Sequence, residues 1–173
     1  MRGAQLADQQ GGREWVLMAL ILNHPTLLRR QDEAFSSLEF TSLELDSLRT
    51  AILHEAARNS DLDTEGLKRH LTEQGFADTL ARVGGRKATD LHWFAQPEAA
   101  LEDAEKGWKL ILARHRAAAL RGELRLAEDA LAEEMTDERL HRFLALKRQV
   151  ESGEGDAADL EGFGAASGRE AAI

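Results

Sequence analysis

From Pro97 to Glu134 the chain contains no proline and only two glycines, Gly107 and Gly122, among strong helix formers. A continuous helix over that span would be roughly 57 Å long at 1.5 Å rise per residue. The roughly 90 residues before it would fold into a body about 30 Å across. A helix of that length cannot stay inside such a body. Its far end is expected to project, and Met135, Thr136 and Asp137 read as a turn into a second helix that folds back.

The apolar residues of this long helix change face along its length. At about 100° per residue, Leu101, Ala104, Trp108, Ile111, Leu112 and His115 fall in one stripe roughly 100° wide. Leu120, Leu124, Ala127 and Leu131 fall in another, rotated by roughly 150°. Two successive packing partners explain the change, the body first and the second helix after it. Ala117, Ala118 and Ala119 stand at the changeover. Thr136 is expected to cap the second helix. Its inward face would carry Leu140, Phe143, the methylene stem of Lys147 and Val150. Leu144 and Leu146 flank that seam on opposite sides, so one of them should stay exposed.

The rest of the chain also reads as helix. Residues 1–12 are polar, end in Gly11-Gly12 and read as a linker in a fragment cut from a larger protein. Arg13 to Leu22 is apolar almost all round, which marks a buried central helix stopped by Asn23-His24-Pro25. A short helix is expected over Thr26 to Phe35. Thr41 or Ser42 should cap a helix from Leu43 to Arg58, and Asp63 or Thr64 a further one ended by Gly75. Phe76 to Val83 reads as another, followed by a Gly84-Gly85-Arg86-Lys87 joint. Leu91, Trp93 and Phe94 are expected to fold back onto the core. Pro97 suits the first position of the long helix. The Gly-, Ala- and acid-rich residues 152–173 read as disordered, with Gly162-Phe163-Gly164 as a docking-peptide candidate against the favoured passive tail.

The fold class expected is therefore all-α. Residues 13–116 would form a globular bundle that includes the first half of the long helix, residues 117–151 a helical hairpin, and residues 152–173 the tail. The chain holds no cysteine, which excludes disulfides and thiolate zinc sites and fits a reducing compartment. Its longest apolar run, Trp15 to Leu22, is too short to span a membrane, and no signal-peptide pattern precedes it. The net charge of −9 argues against strong direct DNA binding, which requires clustered Lys and Arg.

Little in the chain points to catalysis. Glu138 and His141 have the i, i+3 spacing of di-iron bundles, but the pattern occurs once, and a solvated helix face accounts for it better. His115 reads as a packing residue and His24 as a turn residue. No phosphate loop or nucleophile elbow is present, and no cofactor or metal is expected. Lys106, Lys109, Arg114 and Arg116 are candidate contacts for an acidic peptide or nucleic acid, although a solvated surface is the favoured reading.

The order of these segments resembles the C-terminal, helicase-binding domain of bacterial replicative primase, of the DnaG type. The resemblance runs from Trp15-Val16-Leu17-Met18-Ala19-Leu20-Ile21-Leu22-Asn23-His24-Pro25-Thr26-Leu27-Leu28 through Leu38-Glu39-Phe40, the helix of Leu48 and Ile52, and the long helix with its hairpin. It covers about residues 13–151, and no single motif decides it. It implies a cytoplasmic, non-catalytic docking module of an RNA-primer-synthesising enzyme, whose hairpin binds the N-terminal domain of the hexameric replicative helicase. Arg139, Leu140, Arg142, Phe143, Leu144, Leu146, Lys147 and Val150 are the candidate helicase contacts. In some members the acidic tail of single-stranded-DNA-binding protein is a second partner. The competing readings are the helicase's own N-terminal domain, a helical enzyme with a metal in its core, and a free-standing nucleic-acid-binding protein.

Overall fold

A computed structural model describes residues 2–59, 63–85, 92–153 and 163–168, with side chains from residue 11 onward. The chain is all-α, with no strand among the described residues. Helices α1 (Arg2–Asn23), α2 (Pro25–Ser36), α3 (Leu43–Arg58), α4 (Thr64–Leu71) and α5 (Ala77–Gly85) are followed by a 3-10 turn at Trp93–Ala95. Helices α6 (Leu101–Glu133) and α7 (Asp137–Gly153) complete the series, before a short 3-10 turn at Ala165–Ser167. The chain divides into two compact units, one formed by Met1–Trp108 with Leu160–Ile173 and the other by Lys109–Asp159.

In the first unit α1 is the central helix. Every residue from Trp15 to Leu22 is buried, and α1 packs against α2, α3, α4, α5 and the 3-10 turn. Each large aliphatic side chain taken out of water this way contributes roughly 1.5–3 kcal/mol. Residues 2–12, expected as a linker, are instead the first turns of α1. Ala4, Gln5, Leu6, Gln9 and Gln10 favour helix, and the anchored turns that follow supply the nucleus that two glycines alone would not.

The punctuation residues act largely as expected. Pro25 opens α2 directly after α1, where its missing N–H costs no helical bond. Ser42 accepts from the Leu45 N–H and Asp63 from the Gly66 N–H, so both cap the helices they precede. Gly75, at φ 93°, sits in a one-turn π-helix that joins α4 to α5, a backbone conformation that favours glycine. Asn23 and His24 hold the 3-10 turn against the end of α1. Asn23 Nδ2 donates to the Ala95 carbonyl at 2.8 Å, and His24 Nε2 lies 3.0 Å from the Gln96 carbonyl. Burial lowers the pKa of His24, against the opposing effect of that carbonyl bond. Phe94 and Ala95 are buried and Trp93 half-buried, while Leu91 and the Arg86-Lys87 part of the expected joint lie outside the described residues.

Two expectations about this unit are corrected. Pro97 does not open the long helix. It lies in a turn closed by the Ala99 N–H and the Gln96 carbonyl, and α6 begins at Leu101. Nor is all of the tail passive, because Phe163–Gly168 packs on the first unit. The Phe163 ring lies 5.2 Å from that of Trp93 and 5.4 Å from that of Phe94. The low apolar content of residues 152–173 conceals this one anchored segment.

Gly107 makes room for Phe94. A Cβ there would stand 2.1 Å from the Phe94 ring, so α6 can lie against that ring only without a side chain. Gly107→Ala is expected to lose about 1–2 kcal/mol net, an overpacking cost partly offset by helix propensity. Denaturant unfolding checks this, together with loss of the Phe94–Phe163 contact by NMR.

The second unit contains the later turns of α6, residues 134–136 and α7. The change of apolar face along α6 falls near Ala117, whereas the compact units part after Trp108. A continuous helix ties each residue to the turns on both sides of it, so a change of apolar face within it is not a break in packing. The stripe itself is sound: Ala104, Trp108, Ile111, Leu112 and His115 are all buried.

Candidate docking face

Thr136 closes the connection by accepting from the Arg139 N–H at 3.3 Å. The Arg139 guanidinium reaches back to the open end of α6. Its Nη1 donates to the Ala130 carbonyl at 2.7 Å and the Glu134 carbonyl at 3.3 Å, and its Nη2 lies 3.3 Å from Glu134 Oε2. The last carbonyls of a helix are partially negative, an environment that favours a cation there; the Ala130 carbonyl accepts from the Glu134 N–H as well. Arg139 was a candidate contact for a partner, but in this structure it holds the turn.

The other candidates on α7 separate by exposure. Leu146 is buried at 8%, and Phe143 and Val150 are half-buried. Their spacing of three and then four residues makes one stripe, so Leu146, not Lys147, occupies the seam position; Lys147 is exposed. A lysine stem could fill that position only at the cost of holding its ammonium near apolar surface, and the leucine beside it carries no such penalty. Leu140 and Leu144, four residues apart, are each 37% exposed, and Arg142 is exposed beside them in sequence. Of the pair Leu144 and Leu146, Leu144 is the one left out.

Two residues of the same unit join this list that the stripe pattern did not select. Leu126 is 66% exposed and Met135 82%. Leu126 lies off both stripes of α6 and Met135 falls in the connection. A large apolar residue at a position that periodicity assigns to solvent was the available signal for both.

The basic candidates are divided between the units. Lys106 belongs to the first and pairs with Glu102 at 3.4 Å one turn earlier. Lys109, Arg114 and Arg116 are exposed on the second. Glu138 and His141 are both exposed, and no group of three or more His, Cys, Asp or Glu able to hold a metal ion occurs among the described residues.

One acid–histidine pair lies elsewhere. Glu55, buried on α3, has His70 Nδ1 3.2 Å from one oxygen, and Gln74 donates to the other at 2.7 Å. Burial works against its ionisation. The hydrogen bonds from His70 and Gln74, with the charges of His70 and Arg58, outweigh it and hold the carboxyl below its ordinary range. With both oxygens engaged, the cluster pins α3 to α4 and the π turn. A cleft of about 600 Å³ opens nearby, lined by Pro25, Leu28, Leu53 and Leu67 among others. No helix among the described residues is long and apolar enough to cross a membrane. No family model, curated protein or solved structure matches this chain.

Proposed function

We propose that this chain is a helicase-docking module of a bacterial replicative primase, in which α7 and the later turns of α6 act as a helical hairpin that binds the N-terminal domain of the hexameric helicase. The observation that carries the proposal is where large apolar side chains face water. Among the described residues they are Leu43, Leu126, Met135, Leu140 and Leu144, and all but Leu43 belong to the Lys109–Asp159 unit. Single exposed leucines are ordinary, but a concentration in the smaller of two units is the pattern of a surface that another protein covers. The small size of the unit supports the same reading, since a small domain buries a low fraction of its surface and is marginal by itself. The resemblance in segment order supplies the partner's name. Primer synthesis would belong to other domains of the parent enzyme, and the acidic tail of single-stranded-DNA-binding protein would be a second partner.

The test is binding of the full chain to the helicase N-terminal domain by calorimetry. Leu140→Glu with Leu144→Glu is expected to weaken binding about 100-fold or more, as loss of two anchoring side chains does. Its melting temperature should stay close to that of the parent chain, because both positions are already partly in water. Undiminished affinity in the double variant, or no binding by the parent chain, refutes the proposal. Substitution is a cleaner test than deleting Thr136–Ile173, which would also remove the segment packed on Trp93 and Phe94.

A further inference from the structure

The start of α6 has no capping side chain of its own. Ala100, whose carbonyl accepts from the Ala104 N–H, stands where Ser, Thr, Asp or Asn would accept from the first turn. Asp103, three residues on, is where a capping-box carboxylate reaches back to the cap's own N–H. Here Asp103, fully buried, does not turn back. Its two oxygens accept from the Gly164 N–H at 2.7 Å and the Ser167 N–H at 2.8 Å. The Ala100 N–H donates instead to the Ser167 hydroxyl at 2.9 Å. The capping task is shared between α6 and a segment more than sixty residues away in sequence.

The same segment is anchored by a ring. Phe163 sits at distances from Trp93 and Phe94 at which aromatic pairs attract. Gly164, between the ring and the polar anchors, is buried and has φ 98°, a conformation that side chains rarely adopt. One aromatic anchor, one obligatory glycine, two backbone donors held by a carboxylate and one hydroxyl acceptor make a complete set of peptide-recognition contacts.

We propose that Trp93, Phe94, Ala100 and Asp103 form an exchangeable peptide-binding site, filled in cis by Phe163–Ser167 and able to take a separate peptide of the pattern Phe-Gly-x-x-Ser. Exchange is partly compensated at the polar end. When Ser167 leaves, the Ala100 N–H and the Asp103 carboxylate become available to each other, so the carboxylate half of a capping box can replace one of the three lost bonds. Release then opens Trp93 and Phe94 to an incoming aromatic ring. The cis segment is tethered and so competes at an effective concentration on the order of millimolar, which a free peptide meets only when the cis contact is weakened.

The experiment uses the full chain and a fluorescently labelled synthetic peptide with the sequence of residues 160–169. Phe163→Ala removes the cis ring from outside the site and is expected to raise affinity for the labelled peptide about tenfold or more over the parent chain. Gly164→Val, which the φ of 98° disfavours, should raise it likewise by a different route. Adding Asp103→Asn to Phe163→Ala should abolish the gain, and a peptide with the phenylalanine replaced by alanine should not bind. Equal affinity of the parent chain and both single variants overturns the proposal. So does failure of both variants to bind at peptide concentrations of about 1 mM.

Discussion

Replacing Glu14 with alanine is expected to cost about 3–5 kcal/mol of stability and to lower the melting temperature by roughly 10 °C. Glu14 is fully buried on α1. Its Oε1 accepts from both the Thr41 N–H at 2.8 Å and the Thr41 hydroxyl at 2.7 Å, and its Oε2 accepts from the Ser42 N–H at 3.2 Å. Those are the two residues that lead into α3, and Ser42 is its cap. Alanine would leave three donors, on the exposed Thr41 and the half-buried Ser42, without their carboxylate acceptor, and it would loosen the cap that depends on them. Hydrogen bonds to such groups contribute about 1.5–3 kcal/mol each, so partial relaxation still leaves a loss of several kcal/mol. Glu14→Gln retains the shape but turns one acceptor into a donor facing another donor, and is expected to cost about half as much. Chemical denaturation of the two variants checks both figures. A loss under about 1 kcal/mol for Glu14→Ala would mean that the 41–42 loop finds other acceptors.

Glu14 also shows which parts of the fold were legible in the sequence. The helix containing it announced itself through the run from Trp15 to Leu22, and its burial followed from having no polar face. Ser42 and Asp63, each one of two candidate caps, and Thr136 were legible because capping is local, set by a few residues on either side of a boundary. The role of Glu14 was not, because its partners lie 27 residues away in a loop that carries no signal of its own. The start of α6 was misplaced for the same reason. Pro97 has the right chemistry for a first helical position, but the helix begins at Leu101, where the Ser167 hydroxyl accepts from the Ala100 N–H. A rule that looks only within four residues cannot see a cap supplied from the other end of the chain.

The candidate docking face was partly legible. Periodicity placed Leu140, Phe143, Lys147 and Val150 on the inner face of α7, of which Phe143 and Val150 are half-buried while Leu140 and Lys147 are exposed, and it required either Leu144 or Leu146 to remain outside. It put Lys147 in the seam where the structure has Leu146, because 3.6 residues per turn brings both within reach of it. Arg139 was named only as a partner contact, and its bonds to the end of α6 were not legible because they depend on where the α6 carbonyls end. In residues 152–173 the composition favoured a passive tail over the docking peptide that Gly162-Phe163-Gly164 suggested, whereas Phe163, Gly164 and Ser167 each make a specific contact.

Asp103→Ala is expected to release that segment, at a loss of about 2–4 kcal/mol of local docking free energy. The loss should appear as faster hydrogen exchange at the Gly164 and Ser167 amides, on the order of 100-fold, while the core amides of α1 keep their protection. The same contact is expected to depend on acid. Burial of Asp103 opposes its ionisation, but the Ser167 side chain, the Gly164 and Ser167 N–H groups and the charge of Lys106 outweigh it, and its pKa lies below the ordinary value. A lowered carboxyl pKa means that the docked state prefers the ionised group. Its contribution is fully present above the ordinary carboxyl value of about 4 and is lost as pH falls through the lowered one. Followed by the NMR signal of the Trp93 indole, the parent chain should therefore lose the Phe163 contact on acidification below about pH 4. Asp103→Ala should show the undocked Trp93 signal already at neutral pH, with no further step. A parent chain whose Trp93 signal ignores pH down to the point of global unfolding would show that the rings, not the carboxylate, hold the segment in place.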